Sequence, residues 1–175
     1  GLMPAQDVLS APVDVIAGYA WATLAAEEEL EYLGRIPPEI FFPYVLHHRV
    51  NSECLDDSRG ILLRQLLPFV RGKSMEQAAL AVNYWCYAHA TYTPSDDRTL
   101  GPLGVLRRTL GRCGEESVLA VAALRSVGIP TRYVTGYLVD VKDPLGTMVR
   151  LRDAHAWVEV FLEGVGWVVL EATPA

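Results

Sequence analysis

The 175 residues hold only three cysteines, Cys54, Cys86 and Cys113, and no two of them form a C-x-x-C pair. An odd, widely spaced set supports neither a disulfide framework nor a structural zinc site. A reducing, cytoplasmic setting is the simpler home for three free thiols, with a secreted domain that keeps its thiols free as the other. Long apolar runs are also missing. No stretch of 18 apolar residues occurs, so nothing is long enough to span a bilayer as a helix. Gly1-Leu2-Met3 is not followed by the basic and apolar regions of a signal peptide. The two ends are expected to be cuts in a longer protein, and a leader removed that way would reverse the compartment. Basic residues are scarce: 15 Lys and Arg stand against 21 Asp and Glu, giving a net charge of −6. With no basic cluster, nucleic acid and anionic membrane are excluded as expected partners.

Hydrophobic residues make up 51% and charged residues 21%, a globular composition. A chain of this length forms one compact unit and buries about 70% of its unfolded surface. There is no internal repeat. Residues 1–91 read as a helical lead-in and 92–175 as the core that carries the chemistry. In the lead-in, 14–33 is a helix with Gly34 as its stop. Pro37-Pro38 opens a short or kinked helix through Ile40, Phe41, Tyr44 and Val45, since Pro43 interrupts it. A third helix covers 56–69, stopped by Pro68 and Gly72. Ser74-Met75-Glu76-Gln77 is a capping box that opens a fourth, through about His89. Residues 91–101 are a loop.

The second half changes character. Residues 113–127 form a helical pattern closed by Gly128-Ile129-Pro130, and 131–139 alternate like a strand. Residues 140–151 are a loop or loose hairpin; 155–162 and 166–172 are strands joined by a tight turn. Helices first, then a helix followed by antiparallel strands, is an α+β arrangement.

Three residues in this half carry chemistry. Cys113 lies in Gly111-Arg112-Cys113-Gly114-Glu115-Glu116 at a helix start, His155 in His155-Ala156-Trp157-Val158-Glu159-Val160, and Glu171 near the end of the last strand. Thiol, imidazole and carboxylate are the parts of a nucleophilic triad. A helix N-terminus and a neighbouring imidazolium both favour a thiolate. Gly111 and Gly114 let a substrate approach the backbone closely. Glu115 and Glu116 oppose the thiolate unless they point aside. The bland reading of Cys113 is a small buried hydrophobe, which is the favoured reading for Cys86 and Cys54. His47, His48 and His89 have no metal-ligand spacing and read as solvated or hydrogen-bonded histidines.

Strand parity puts His155, Trp157 and Glu159 on one face and Ala156, Val158 and Val160 on the buried one. Trp157 then either walls the site or packs on the N-terminal helices. Glu171 depends on register. A three-residue loop, Glu163-Gly164-Val165, pairs Leu162 with Gly166 and brings Glu171 to the His155 face; a four-residue loop turns it away. Asp153 is the fallback orienter.

At these residues the chain resembles the transglutaminase-like superfamily. The likeness runs from about Tyr92 to Pro174. It includes Gly111 to Glu116, Leu-Arg-Ser-Val-Gly-Ile-Pro-Thr-Arg at 124–132, Val-Thr-Gly-Tyr at 134–137, His155 to Val160 and Gly-Trp-Val-Val-Leu-Glu-Ala-Thr-Pro at 166–174. The resemblance implies a papain-like, transglutaminase-core fold, with Cys113 as nucleophile, His155 as base and Glu171 as third member. Glu171 departs from the family pattern, which most often has Asp. Nothing matches the calcium-binding segments of large animal members, so no cofactor or metal is expected. The expected activity is acyl chemistry on a protein or peptide amide, completed by water or by an amine. A non-catalytic protein-binding scaffold is the competing reading.

Overall fold

The computed structural model describes residues 32, 35–47, 49–50, 53–54, 56–89, 91–92, 102, 104–105, 110–111, 113–139 and 149–171. The expected helix over 14–33 lies outside the described residues apart from Tyr32, whose buried hydroxyl donates to the Val127 carbonyl at 2.6 Å.

Pro37-Pro38 does open a helix. α1 (Pro38–Phe41) runs directly into one turn of π-helix, Phe42–Leu46. Pro43 cannot donate a ladder hydrogen bond, and the chain widens at that point. Phe41, Val45 and Leu46 are buried. β1 (Arg49–Val50) and β2 (Glu53–Cys54) form a small antiparallel pair before α2 (Asp56–Val70).

α2 passes through Pro68 rather than stopping there, a correction to the expected boundary. Pro68 and Arg64, whose carbonyl loses its partner, both lie on the exposed side, where that carbonyl is open to solvent. The stop is Gly72, at φ +74°. The capping box is present in both directions: Gln77 N–H donates to Ser74 Oγ and Ser74 N–H to Gln77 Oε1, each at 3.2 Å. It starts α3 (Met75–His89). After α3 the expected loop begins instead with a two-residue strand, β3 (Thr91–Tyr92), parallel to β4 (Leu110–Gly111). Residues 93–101 of that expected loop lie outside the described residues.

α4 (Cys113–Ser126) is the axis of the molecule; every residue from Glu115 to Ser126 is buried. Its middle, Val118 to Leu124, is apolar on all sides, and such a stretch belongs inside a core. The small residues Ala120, Ala122 and Ala123 let α2, α3 and the sheet approach it closely. It ends in a Schellman motif: Ile129 N–H donates to Leu124 O and Gly128 N–H to Arg125 O, with Gly128 at φ +79°. Two buried arginines fix its orientation. Arg125 donates to the Thr131 carbonyl from Nε and Nη2, and to the His47 carbonyl from Nη1. Arg59 donates to the carbonyls of Leu46 and His47. Burial, then the neighbouring Arg59, push Arg125 down to about 9, which still leaves it charged at neutral pH.

The sheet is antiparallel in the order β5-β6-β7, from β5 (Thr131–Tyr137), β6 (Ala154–Leu162) and β7 (Gly166–Leu170). β5 is two residues shorter than expected, because Leu138 turns off and donates its N–H to the Asp153 carbonyl. Leu162 pairs with Gly166 and Phe161 with Trp167. The loop is therefore the three-residue Glu163-Gly164-Val165, with Gly164 at φ +77°. Ala156, Val158 and Val160 face α4 and are buried. His155, Trp157 and Glu159 occupy the opposite face.

Candidate active site

Cys113 is the first residue of α4, two residues beyond β4, where Gly111 pairs with Tyr92. The first turn of a helix has no intrahelical acceptors for its N–H groups, so the thiol sits at the positive end of α4. It is half-buried, whereas Cys86 is fully enclosed in α3. Burial, with the Glu116 charge adding, pushes Cys86 up to about 12, so it stays a neutral thiol. The bland reading thus fits Cys86; Cys54 has no described side chain.

The acidic pair that threatened the thiolate turns inward. Glu115 and Glu116 are 7% and 3% exposed. Desolvation raises the ionisation range of Cys86, Tyr87 and Tyr133; the Glu116 charge adds to the first two and that of Glu115 to the third. Neither glutamate lines the cleft at the head of the helix.

That cleft is open and holds about 360 Å³. Among the described residues its walls are Cys113 and Gly114 from α4, Tyr133, Thr135, Gly136 and Tyr137 from β5, and Ala154, His155 and Ala156 from β6. Cys113 and His155, 42 positions apart, therefore share one cavity. Gly136 pairs with His155 across the β5–β6 ladder.

His155 Nε2 lies 3.3 Å from Glu171 Oε1 and 3.2 Å from Oε2. The His155 side chain is 14% exposed and that of Glu171 41%. A carboxylate accepts hydrogen bonds, so in a neutral imidazole this contact favours the tautomer that carries its proton on Nε2. The Glu171 backbone is held from α3, where Asn83 Nδ2 and Tyr87 Oη donate to its carbonyl at 3.2 and 2.9 Å. Asp153, the fallback, is committed elsewhere: its Oδ2 accepts from the Arg150 N–H at 2.8 Å.

Trp157 is not among the residues lining the cleft. Its ring stacks beside His155, centroids 6.1 Å apart, and covers Gly136. It backs the imidazole rather than walling the cavity. On the same face Arg132 pairs with Glu159 and lies over the Trp167 ring, 4.2 Å from its centroid. His89 bonds Trp85 O through Nδ1 and stacks on the Trp85 ring, as a hydrogen-bonded histidine does. No group of three potential metal ligands occurs among the described residues.

Sequence reasoning missed two sets of residues. Tyr133, Thr135 and Tyr137 share one strand face, so alternation in 131–137 could have found them. Nothing in the sequence linked Asn83 and Tyr87, one helical turn apart, to a strand end more than 80 residues away.

Residues 68–172 match the family model of the transglutaminase-like superfamily. The chain belongs to that superfamily. It is 33% identical over 101 residues to the uncharacterised protein YebA of Bacillus subtilis, covering 54% of this chain and 14% of that protein. It is 37% identical over 65 residues to the protein-glutamine gamma-glutamyltransferase of Pseudomonas aeruginosa, covering 36% and 10%. Among solved structures, a candidate cysteine protease from Cytophaga hutchinsonii superimposes with a TM-score of 0.62 at 23% identity, over 84% of this chain and 47% of that one. The periplasmic domain of TgpA from Pseudomonas aeruginosa gives 0.58 at 20%, over 78% and 48%. The chain thus spans about half of each solved relative and far less of the full-length ones. These likenesses establish the papain-like, transglutaminase-core fold: mixed helices with a small antiparallel sheet.

Proposed function

We propose that this member of the transglutaminase-like superfamily is a cysteine-dependent enzyme that forms an acyl-thioester on Cys113 from a protein or peptide amide. One observation carries the reading: His155, in the same cleft as Cys113, has its Nε2 on the Glu171 carboxylate, which leaves Nδ1 for the thiol. In that arrangement Nδ1 takes the thiol proton as sulfur bonds to the amide carbon. It then delivers the proton to the leaving nitrogen as the C–N bond breaks, and the amine departs. Glu171 holds the tautomer and stabilises the imidazolium between the two transfers. Water or a second amine then attacks the thioester, returns its proton through His155, and releases the acid or the new amide.

Release by water makes the enzyme a peptidase or amidase, and release by an amine makes it a transglutaminase. The test offers both routes. Dimethylated casein is incubated with a fluorescent primary amine, and amine incorporation, ammonia release and chain cleavage are followed together. Cys113→Ala should remove whichever product the native chain makes. A product that survives Cys113→Ala would sink the proposal.

A further inference from the structure

We propose that Tyr133 is a further catalytic residue of this site: its phenol hydroxyl donates a hydrogen bond to the carbonyl oxygen of the acyl group as Cys113 attacks. The inference rests on the reading of Cys113 as nucleophile. Tyr133 stands on β5 opposite Val158, on the sheet face that meets α4. Its hydroxyl oxygen lies 3.4 Å from where a Cβ on Gly114 would sit, so it points at the first turn of the nucleophile helix. It lines the cleft with Cys113 and His155, and makes no hydrogen bond to any described residue.

A half-buried phenol with no acceptor among the described residues, aimed at a helix start, is a donor awaiting a ligand atom. That atom can be identified. When Sγ bonds to a carbonyl carbon, the attached oxygen gains negative charge and must lie close to the sulfur. The unsatisfied N–H groups of the α4 first turn are on one side of that position. With no side chain on Gly114, the position a Cβ would take, 3.4 Å from the Tyr133 hydroxyl, is left open beside that helix end. An oxygen in that gap accepts from backbone and phenol together. Burial, the Cys113 charge and the Glu115 charge all raise the Tyr133 ionisation range, which keeps the phenol protonated and able to donate.

The test separates a role toward oxygen from a role toward sulfur. Acylation is read with p-nitrophenyl acetate, as the nitrophenolate burst and the acetyl mass on Cys113. Alkylation is read with iodoacetamide, which transfers a saturated carbon and creates no oxyanion. Tyr133→Phe keeps the ring and its packing, and a matching melting temperature verifies the fold. The expected result is a burst slowed about 10- to 100-fold, with Cys113 alkylation unchanged in rate and pH profile. A burst within twofold of the native rate overturns the proposal. So does an equal loss in both reactions, which would place the phenol on the thiol. If Cys113 in the native chain neither acylates nor outpaces Cys86 in alkylation, the nucleophile reading fails and takes this one with it.

Discussion

His155 Nε2 sits almost evenly between the two Glu171 carboxylate oxygens, 3.3 Å from one and 3.2 Å from the other. The family more often carries Asp at this position, and the longer side chain reaches the imidazole from a strand end. Glu171→Gln should keep the shape of the contact but remove the charge and admit the wrong tautomer. Turnover should fall by about 100-fold or more with little change in KM. Asp153→Asn should be nearly silent in the same assay. Reversed outcomes would move the orienting role to Asp153.

Cys113 and Cys86 should separate cleanly. Cys113→Ala should abolish thioester formation and leave the melting temperature within a few degrees of native. Cys86→Ala should leave the chemistry alone but cost about 1–2 kcal/mol through lost packing inside α3. Mass-spectrometric detection of acyl adducts and urea melts of both variants provide the check.

The Cys86 thiol also predicts a pH dependence. Its ionisation is raised from 9.0 to about 12 by burial first and the Glu116 charge second. The folded protein therefore retains a proton that the unfolded chain gives up near its ordinary value. The resulting stability is fully present below pH 9.0 and is lost as pH rises toward about 12. Tyr32, Tyr87 and Tyr133 shift in the same direction and steepen the loss. In Cys86→Ala the fall of unfolding free energy with alkaline pH should be shallower than in the native chain. Equal slopes in urea titrations across that range would contradict the assignment.

Gly136 and Trp157 set a packing test behind the imidazole. A Cβ at Gly136 would lie 2.6 Å from Trp157 Cη2 and 3.1 Å from Cζ3, so Gly136→Ala must displace the indole that stacks beside His155. A loss of about 1–3 kcal/mol is expected from this overpacking, with turnover falling as the imidazole loses its backing. Native-like indole fluorescence and activity in the variant would mean that the ring adapts freely.

The legible parts of this protein were those written in local chemistry. Ser74 with Gln77, Gly128 after α4 and Gly164 in the last hairpin each specify backbone geometry from within a few residues. Hairpin parity then carried Glu171 to the His155 face, because strand periodicity propagates one local turn along a ladder. Pro68 misled, since the cost of a proline depends on whether the freed carbonyl meets water, a tertiary fact. Trp157 escapes a local reading for a similar reason: its ring lies over the bare backbone of Gly136 on another strand. The inward turn of Glu115 and Glu116 was equally hidden, because first-turn acids are ordinarily solvated.

The contact that no local pattern announced gives the last prediction. Tyr87 Oη and Asn83 Nδ2 donate to the Glu171 carbonyl from α3, at 2.9 and 3.2 Å. They fix the backbone from which the carboxylate reaches His155. Tyr87→Phe and Asn83→Ala should each cost about 1 kcal/mol. If that anchoring positions the carboxylate, kcat should drop several-fold for each and further for both, with KM held. The decisive arm repeats the pair in a Glu171→Gln background. There the charge they position is already gone, so the two substitutions should add little to the loss in kcat, while their effect on melting temperature persists. Fully additive losses in kcat would mean that the α3 contacts support the fold near the site and do not act through Glu171.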